Sequence, residues 1–256
     1  MTRILAIHAH PDDIETLAAG TLAVLAAASL TLTIATLTAG ECGSVDNDPA
    51  ETARIRKGEA ALAAAMIGAD YRCAGLGDLA VFNDDASRRT VTELIRAVRP
   101  SIVITSAPAD YHPDHEATSL LVRDACFAAS APGYRTGGAT PLEAIPHLYF
   151  MDPIGGRDRE GRPAHPDFAV DIGEVMGTKR RMLEAHQSQI AWLAKQHAIT
   201  DFTAGMEAQS RRRGKDFGVA FAEGFRHYRH PPYPRDPLLQ TLLGTALLRV
   251  AAREEN

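Results

Sequence analysis

Short apolar, β-branched runs alternate with helix-patterned stretches through the first half of this chain, and no other feature constrains its fold as tightly. Arg3 to Ala9 (RILAIHA) has the pattern of a buried strand. It stops at Pro11, and the alanine-rich stretch from Ile14 to Ala28 reads as a helix. Leu30 to Leu37 (LTLTIATL) is a second strand, closed by Ala39-Gly40. Pro49 to Ile67 is expected to be helical, with Pro49 in a first turn and Gly68 as the stop. Tyr71 to Ala74 is a short third strand, and Ser87 to Val98 a helix ended by Pro100. Ser101 to Thr105 (SIVIT) is the clearest strand, and Asp114 to Ala129 returns to helix. Strands and helices joined by short connections imply parallel strands and right-handed crossovers. The expected class is therefore α/β: an open, doubly wound, mostly parallel sheet with helices on both faces. Ligands of such sheets sit beyond the carboxyl ends of the strands, where the winding reverses.

The second half is less regular. Pro132 to Pro146 is rich in glycine, proline and threonine and reads as a long loop, a candidate substrate lid. His147 to Met151 and Phe168 to Ile172 are expected as edge strands. Gly173 to Lys195, Asp201 to Arg213 and Leu238 to Arg253 are expected as helices, with the proline-rich His230 to Pro237 extended. The expectation is one domain over 1–256. Residues 1–130 form its α/β core, and 131–256 supply the lid loop, edge strands and C-terminal helices.

With 256 residues, 45% of them hydrophobic, the chain can bury several packed layers without disulfides or other staples. The net charge of −5 argues against a general binder of nucleic acid or anionic membrane, since both need a basic field. Two basic clusters, Lys179-Arg180-Arg181 and Arg211-Arg212-Arg213, read first as solvated helix faces and second as anion contacts near a substrate. Cys42, Cys73 and Cys126 form no Cys-x-x-Cys pair, which fits a reducing compartment. The first residues lack a signal-peptide pattern, and the longest apolar stretch, Leu17 to Leu30, is too short to span a bilayer. A cytoplasmic protein is expected. A homo-oligomer is compatible with the sequence.

His10-Pro11-Asp12-Asp13-Ile14-Glu15 directly follows the first strand. Pro11 begins a turn, and positions three apart in a turn entering a helix face the same side. His10 and Asp13 can therefore meet on one metal ion, while Asp12 is left to hold a water or a proton. The plainer reading is a helix cap by Asp12 or Asp13 with the histidine incidental. Asp110-Tyr111-His112-Pro113-Asp114-His115 follows the SIVIT strand and repeats the His-Pro-Asp start, again ahead of a helix. Two such turns at two parallel strand ends change the weighing, because a doubly wound sheet can bring both into one crevice. His10, Asp13 and His115 then supply three ligands and leave a fourth place for water, the pattern of a catalytic zinc site.

AHPDDIE followed by Gly20-Thr21, with HPDH about a hundred residues later, resembles the LmbE-like or PIG-L-like N-deacetylase family. Similar stretches are Thr38-Ala39-Gly40-Glu41, Arg56-x-x-Glu59 running to Ile67-Gly68, His186-Gln187-Ser188-Gln189 and Ala222-Glu223-Gly224-Phe225. The resemblance implies a Rossmann-like fold and zinc on His10, Asp13 and His115. It implies Asp12 as general base, His112 as partner of the developing oxyanion, and a small-molecule substrate of the amino-sugar conjugate class. Two departures stand out. Leu17-Ala18-Ala19-Gly20 replaces the Gly-Cys-Gly-Gly of many members, so that turn is expected to pack differently. Asp110 stands where some members have tyrosine, so no tyrosine can serve the oxyanion from that position.

The expected function is zinc-dependent hydrolysis of an N-acetyl amide, with iron(II) or another divalent ion as the alternative occupant. Asp12 would take the proton of the attacking water, protonated His112 would face the oxyanion, and Asp114 would orient His112. Glu41, Arg56 and His186 are candidates for holding the substrate, each with a plainer structural reading. Trp192 and Phe202 are expected in the core rather than as a sugar platform. The alternatives are an amidase acting on a thiol or sugar conjugate, an iron oxygenase with a facial triad, and a non-enzymatic ligand-binding module. The oxygenase fits an α/β chain poorly. The binding module would favour a Gly-x-Gly-x-x-Gly turn, which is missing after the first strand.

Overall fold

Arg3–His8 (β1) is buried along its length after the first residue, which explains its unbroken apolar run. Ile4 and Ala6 join one apolar layer, and Leu5 and Ile7 join the other. A parallel strand covered on both faces has no polar side to show. The computed structural model, which describes residues 2–197, 201–245 and 247–250, continues this pattern. The helices Asp13–Leu17 (α1) and Ala19–Ala27 (α2) lead to Thr31–Thr38 (β2). Pro49–Ala65 (α3) leads to Asp70–Leu76 (β3), and Asp85–Val98 (α4) to Ile102–Thr105 (β4). Asp48 and Asp84 start α3 and α4 by accepting the N–H groups of Glu51 (2.9 Å) and Ser87 (2.7 Å). Pro113–Ala129 (α5) then packs beside α4 on the Leu5/Ile7 side, while α1 and α2 cover the Ile4/Ala6 side.

The remaining elements are His147–Met151 (β5), Phe168–Asp171 (β6), Met176–Glu184 (α6), Gln187–His197 (α7), Phe202–Asp216 (α8), Ala222–Tyr228 (β7), Leu238–Leu243 (α9) and Leu248–Val250 (β8). Among the described residues the strands form one sheet in the order β3-β2-β1-β4-β5-β7-β6-β8. Neighbours from β3 through β5 are parallel, and those from β5 through β8 antiparallel. The doubly wound, Rossmann-like core is thus as expected, and its winding reverses between β1 and β4. Both histidine motifs follow those two strands.

The structure corrects several expectations. β5 and β6 are interior strands, because β7, which the sequence reading did not assign, pairs between them and β8 pairs on the far side of β6. The helix expected over Ile14 to Ala28 breaks at Ala18 (φ −141°). Glu223 of β7 takes the N–H groups of Gly20 and Thr21, at 2.9 and 2.7 Å, and so anchors the start of a separate α2. The helix expected over Gly173 to Lys195 breaks between α6 and α7. The final helix ends at Leu243 because Gly244 adopts a positive φ, and β8 follows; 251–253 lie outside the described residues. Pro132 to Pro146 does not line the cavity that holds the motif residues. It joins α5 to the start of β5, at the amino ends of the parallel strands and so opposite both motifs, and Arg96 and Glu93 of α4 tie down its backbone. The basic clusters are not wholly solvated either: Lys179 is buried against Glu223 at 2.6 Å, and Arg213 against Asp152 at 2.7 Å.

Candidate active site

The turn after β1 places Asp12 in the left-handed region (φ 88°, ψ −21°), a costly conformation for a residue with a side chain. It folds His10 back on Asp13. The His10 N–H donates to Asp13 Oδ2 at 2.8 Å, and His10 Nδ1 lies 3.3 Å from that oxygen. After β4, His112 caps α5 by accepting the Asp114 N–H on Nδ1 at 3.2 Å. One turn on, His115 Nε2 lies 3.3 Å from Asp13 Oδ1. The two distant turns therefore converge on one carboxylate, and the ring centres of His112 lie 4.9 Å from His10 and 4.7 Å from His115.

These spacings suit a metal ion. Tetrahedral zinc with ligand bonds of about 2.0–2.2 Å keeps neighbouring ligand atoms about 3.3 Å apart. Among the described residues, three overlapping groups could hold an ion: His10/His112/His115, His8/Asp13/His115 and His10/Asp78/Asp114; the expected set His10/Asp13/His115 is shared out among these groups and is not itself one of them. The electrostatics favour positive charge here. Burial alone would lower His10, but Asp114, Asp13 and Asp78 around it hold it well above the usual histidine value. Burial likewise opposes charge on His115, yet Asp13 and Asp110 raise it to about 9. Asp13 is held well below the usual carboxylate range, its burial outweighed by His115 and His8.

Asp12 behaves differently. Burial raises its carboxyl to about 6 although Arg56, with Nη2 at 3.4 Å, opposes the shift. His112 is lowered by burial and by His115 and His10. With Nδ1 accepting a backbone N–H, its neutral ring carries the proton on Nε2. In that state His112 can donate a hydrogen bond without being charged.

The expected partnership of Asp114 with His112 is not seen through the carboxylate. Helix geometry turns Asp114 toward His10 Nε2 (3.3 Å) and the Leu79 N–H (2.8 Å). Arg56 is at the site, donating to the carbonyls of Gly40 (2.7 Å) and Pro11 (2.9 Å). Gly40 makes room for it, since a Cβ there would lie 2.0 Å from the Arg56 guanidinium. Glu41 instead accepts the Asp78 N–H at 2.9 Å and does not line the cavity. His186 is fully buried behind the site, 3.6 Å from Glu15, and does not line it either.

Three residues were missed. His8 binds Asp13 Oδ2 through Nδ1 at 2.6 Å, Asp110 lies 3.1 Å from His115 Nδ1, and Asp78 lies 3.1 Å from His10 Nε2. Such outer partners orient ligands and raise their basicity. The available signals were the extra histidine in His8-Ala9-His10 and the carboxylate that opens Asp110-Tyr111-His112. Nothing marked Asp78.

His10, Asp12, Asp13, Arg56, His112 and His115 form the polar floor of a cavity of about 730 Å³. A second cavity of the same volume, among Arg157, Arg212, Arg213 and Arg249, contains none of the motif residues.

Residues 5–126 match the family model described as PIG-L, GlcNAc-PI de-N-acetylase. A 1D-myo-inositol 2-acetamido-2-deoxy-alpha-D-glucopyranoside deacetylase from Kineococcus radiotolerans is 33% identical over 250 residues, covering 73% of this chain and 69% of that protein. The chain belongs to the PIG-L family. Among solved structures, the N,N'-diacetylchitobiose deacetylase from Pyrococcus horikoshii is similar to this PIG-L chain with a TM-score of 0.77 and 22% identity, over 93% of this chain and 88% of that one. The 4-carboxy-2-hydroxymuconate hydratase from Pseudomonas putida KT2440 is similar with a TM-score of 0.74 and 23% identity, over 92% and 98%. The fold alone therefore does not choose a reaction. No helix among the described residues is long and apolar enough to cross a membrane.

Proposed function

We propose that this PIG-L chain is a zinc-dependent hydrolase that removes the acetyl group from an N-acetylglucosamine-type conjugate, releasing acetate and a free amine. The observation that carries this reading is the meeting of His10 Nδ1 and His115 Nε2 on the two oxygens of Asp13, each at 3.3 Å, beside Asp12 in one cavity. His10, Asp13 and His115 would hold the ion; two imidazoles and a carboxylate suit zinc, with iron(II) the alternative. A divalent ion there supplies Lewis-acid polarisation of the acyl carbonyl and acidifies the attacking water.

The protein side of the chemistry follows from the geometry. Asp12, raised to about 6 by burial, is ionised near neutral pH yet basic enough to take the water's proton. As the C–O bond forms and the amide C–N bond breaks, the same carboxyl returns that proton to the leaving amine. The His112 Nε2–H donates to the developing oxyanion. Asp110 fixes the His115 ring, and Asp78 with Asp114 fixes the His10 ring. Arg56 positions the turn that carries Asp12. The reading of a reducing, cytoplasmic setting is supported by three free cysteines.

A panel of N-acetylglucosamine conjugates tests the proposal. The expected result is acetate and primary amine released one to one from at least one member by the zinc-loaded protein. Release of an amine without acetate, as from a thiol-conjugate amide, would redirect the reading to the amidase alternative. A zinc-loaded protein inert toward the whole panel would end it.

A further inference from the structure

The cavity has a polar floor and an apolar wall. Trp192 and Leu193 of α7 and Phe202 and Met206 of α8 line it together with the motif residues. Leu79 and Tyr111 complete the rim, and both are open to solvent, at 61% and 65% exposure. Leu79 is placed there against its own preference: its φ is 59°, and its N–H is fixed on Asp114 at 2.8 Å. A leucine held in the left-handed region with its side chain exposed is not explained by packing within the protein.

The polar residues of the same wall are each tied to the protein's own backbone. Gln209 spans two backbone groups, accepting the Gly155 N–H (2.8 Å) and donating to the Pro153 carbonyl (3.1 Å). Gln189 donates to the Gly43 carbonyl at 3.1 Å, and Asp201 caps α8 by accepting the Ala204 N–H at 2.9 Å. A second sugar or a polyol lying on this wall would leave hydroxyl groups facing leucine, methionine and phenylalanine, and losing their water would cost affinity. An apolar group would gain by the same burial.

We propose that the preferred substrate is an N-acetylated amino sugar bearing an apolar aglycone, an alkyl chain or aromatic ring, which lies on the wall formed by α7, α8, Leu79 and Tyr111. This rests on the deacetylase reading above. It deepens that reading by separating the polar end of the substrate, held at the motif residues, from an apolar end held by the helices. Phe202 packs against the core as expected and also lines the cavity, whereas Trp192 is half-buried in the cavity lining.

The test compares acetate release by the zinc-loaded protein from the methyl, phenyl and octyl glycosides of N-acetylglucosamine, from N,N'-diacetylchitobiose, and from an N-octanoyl methyl glycoside. The octyl glycoside is kept below its micellar concentration. The expected result is a kcat/KM at least tenfold higher for the octyl or phenyl glycoside than for the methyl glycoside and chitobiose, expressed in KM; two buried methylenes suffice for about tenfold. Phe202→Asn and Leu79→Asn should shrink that ratio below about threefold, whereas Phe202→Leu should keep it. Equal values for methyl and octyl glycosides would overturn the proposal. So would a preference for the N-octanoyl compound over the octyl glycoside, which would assign the wall to the acyl group. Should no glycoside be hydrolysed, the deacetylase reading fails, and binding decides the apolar seat by itself. Trp192 is the only tryptophan. A saturable blue shift of its fluorescence with the octyl but not the methyl glycoside would support the seat, and no shift with either would refute it.

Discussion

Two groups of buried charges in this protein use the same kinds of residue and are finished differently. Behind α2, Lys179 and Glu223 are each 1% exposed and 2.6 Å apart, and Glu223 also takes the N–H groups of Gly20 and Thr21. Both oxygens of that carboxylate are answered from within the protein. At the ends of β1 and β4, Asp13 Oδ2 is answered by His8 and the His10 N–H, but two further imidazole nitrogens stand 3.3 Å from the oxygens of Asp13, long for charge-assisted hydrogen bonds. The first network is closed and holds two elements together. The second leaves two imidazole nitrogens and a carboxylate at a spacing that a cation could bridge, which is the difference expected between a structural charge cluster and the proposed metal site.

The largest test of that contrast is removal of the shared carboxylate. Asp13→Ala should take acetate release to the detection limit and strip the metal, measured by elemental analysis; a chelator should do the same to the wild type, with zinc restoring activity. An Asp13→Ala protein that kept both metal and turnover would erase the distinction between the two networks. Next, Asp12→Asn should retain the metal while kcat falls about 10²–10⁴-fold. The wild-type pH profile sharpens this assignment. A protonated Asp12 cannot accept a proton, so with its carboxyl raised to about 6, kcat/KM should fall with decreasing pH through that value and level off above it. In the closed network, Glu223→Ala leaves Lys179 buried and unpaired, and should cost about 3–5 kcal/mol in chemical denaturation with turnover per folded molecule retained. The smallest effect is expected from Asp110→Asn, which loosens His115 and should weaken metal binding about 10–100-fold by competition titration.

The contrast also marks what the sequence could show. β1, β2 and β4 were legible because interior parallel strands carry a continuous apolar run. The cavity floor was legible because each His-Pro-Asp turn is local, so His10, Asp12, Asp13 and His115 could be placed from spacing, and His112 from the family resemblance. β7 was hidden, since Glu223 and Gly224 break its apolar pattern, and only the distant Lys179 makes that glutamate tolerable inside. The break at Ala18 was equally silent: alanine favours helix, and the cause is a carboxylate two hundred residues away in the chain. Adjacency misled at Asp114, where the helix sends the carboxylate away from its neighbour His112 and toward His10. Asp78 depends on the chain returning from β3 to the mouth of β1, which no local pattern reports.

The left-handed backbone at Asp12 has a practical consequence. Glycine would relax that turn by on the order of 1 kcal/mol while removing the carboxyl group proposed to move the proton. Hardiness and turnover are thus set against each other at a single position. Selection for heat tolerance alone would reward the loss of Asp12, and any campaign to toughen this protein has to screen catalysis in the same round.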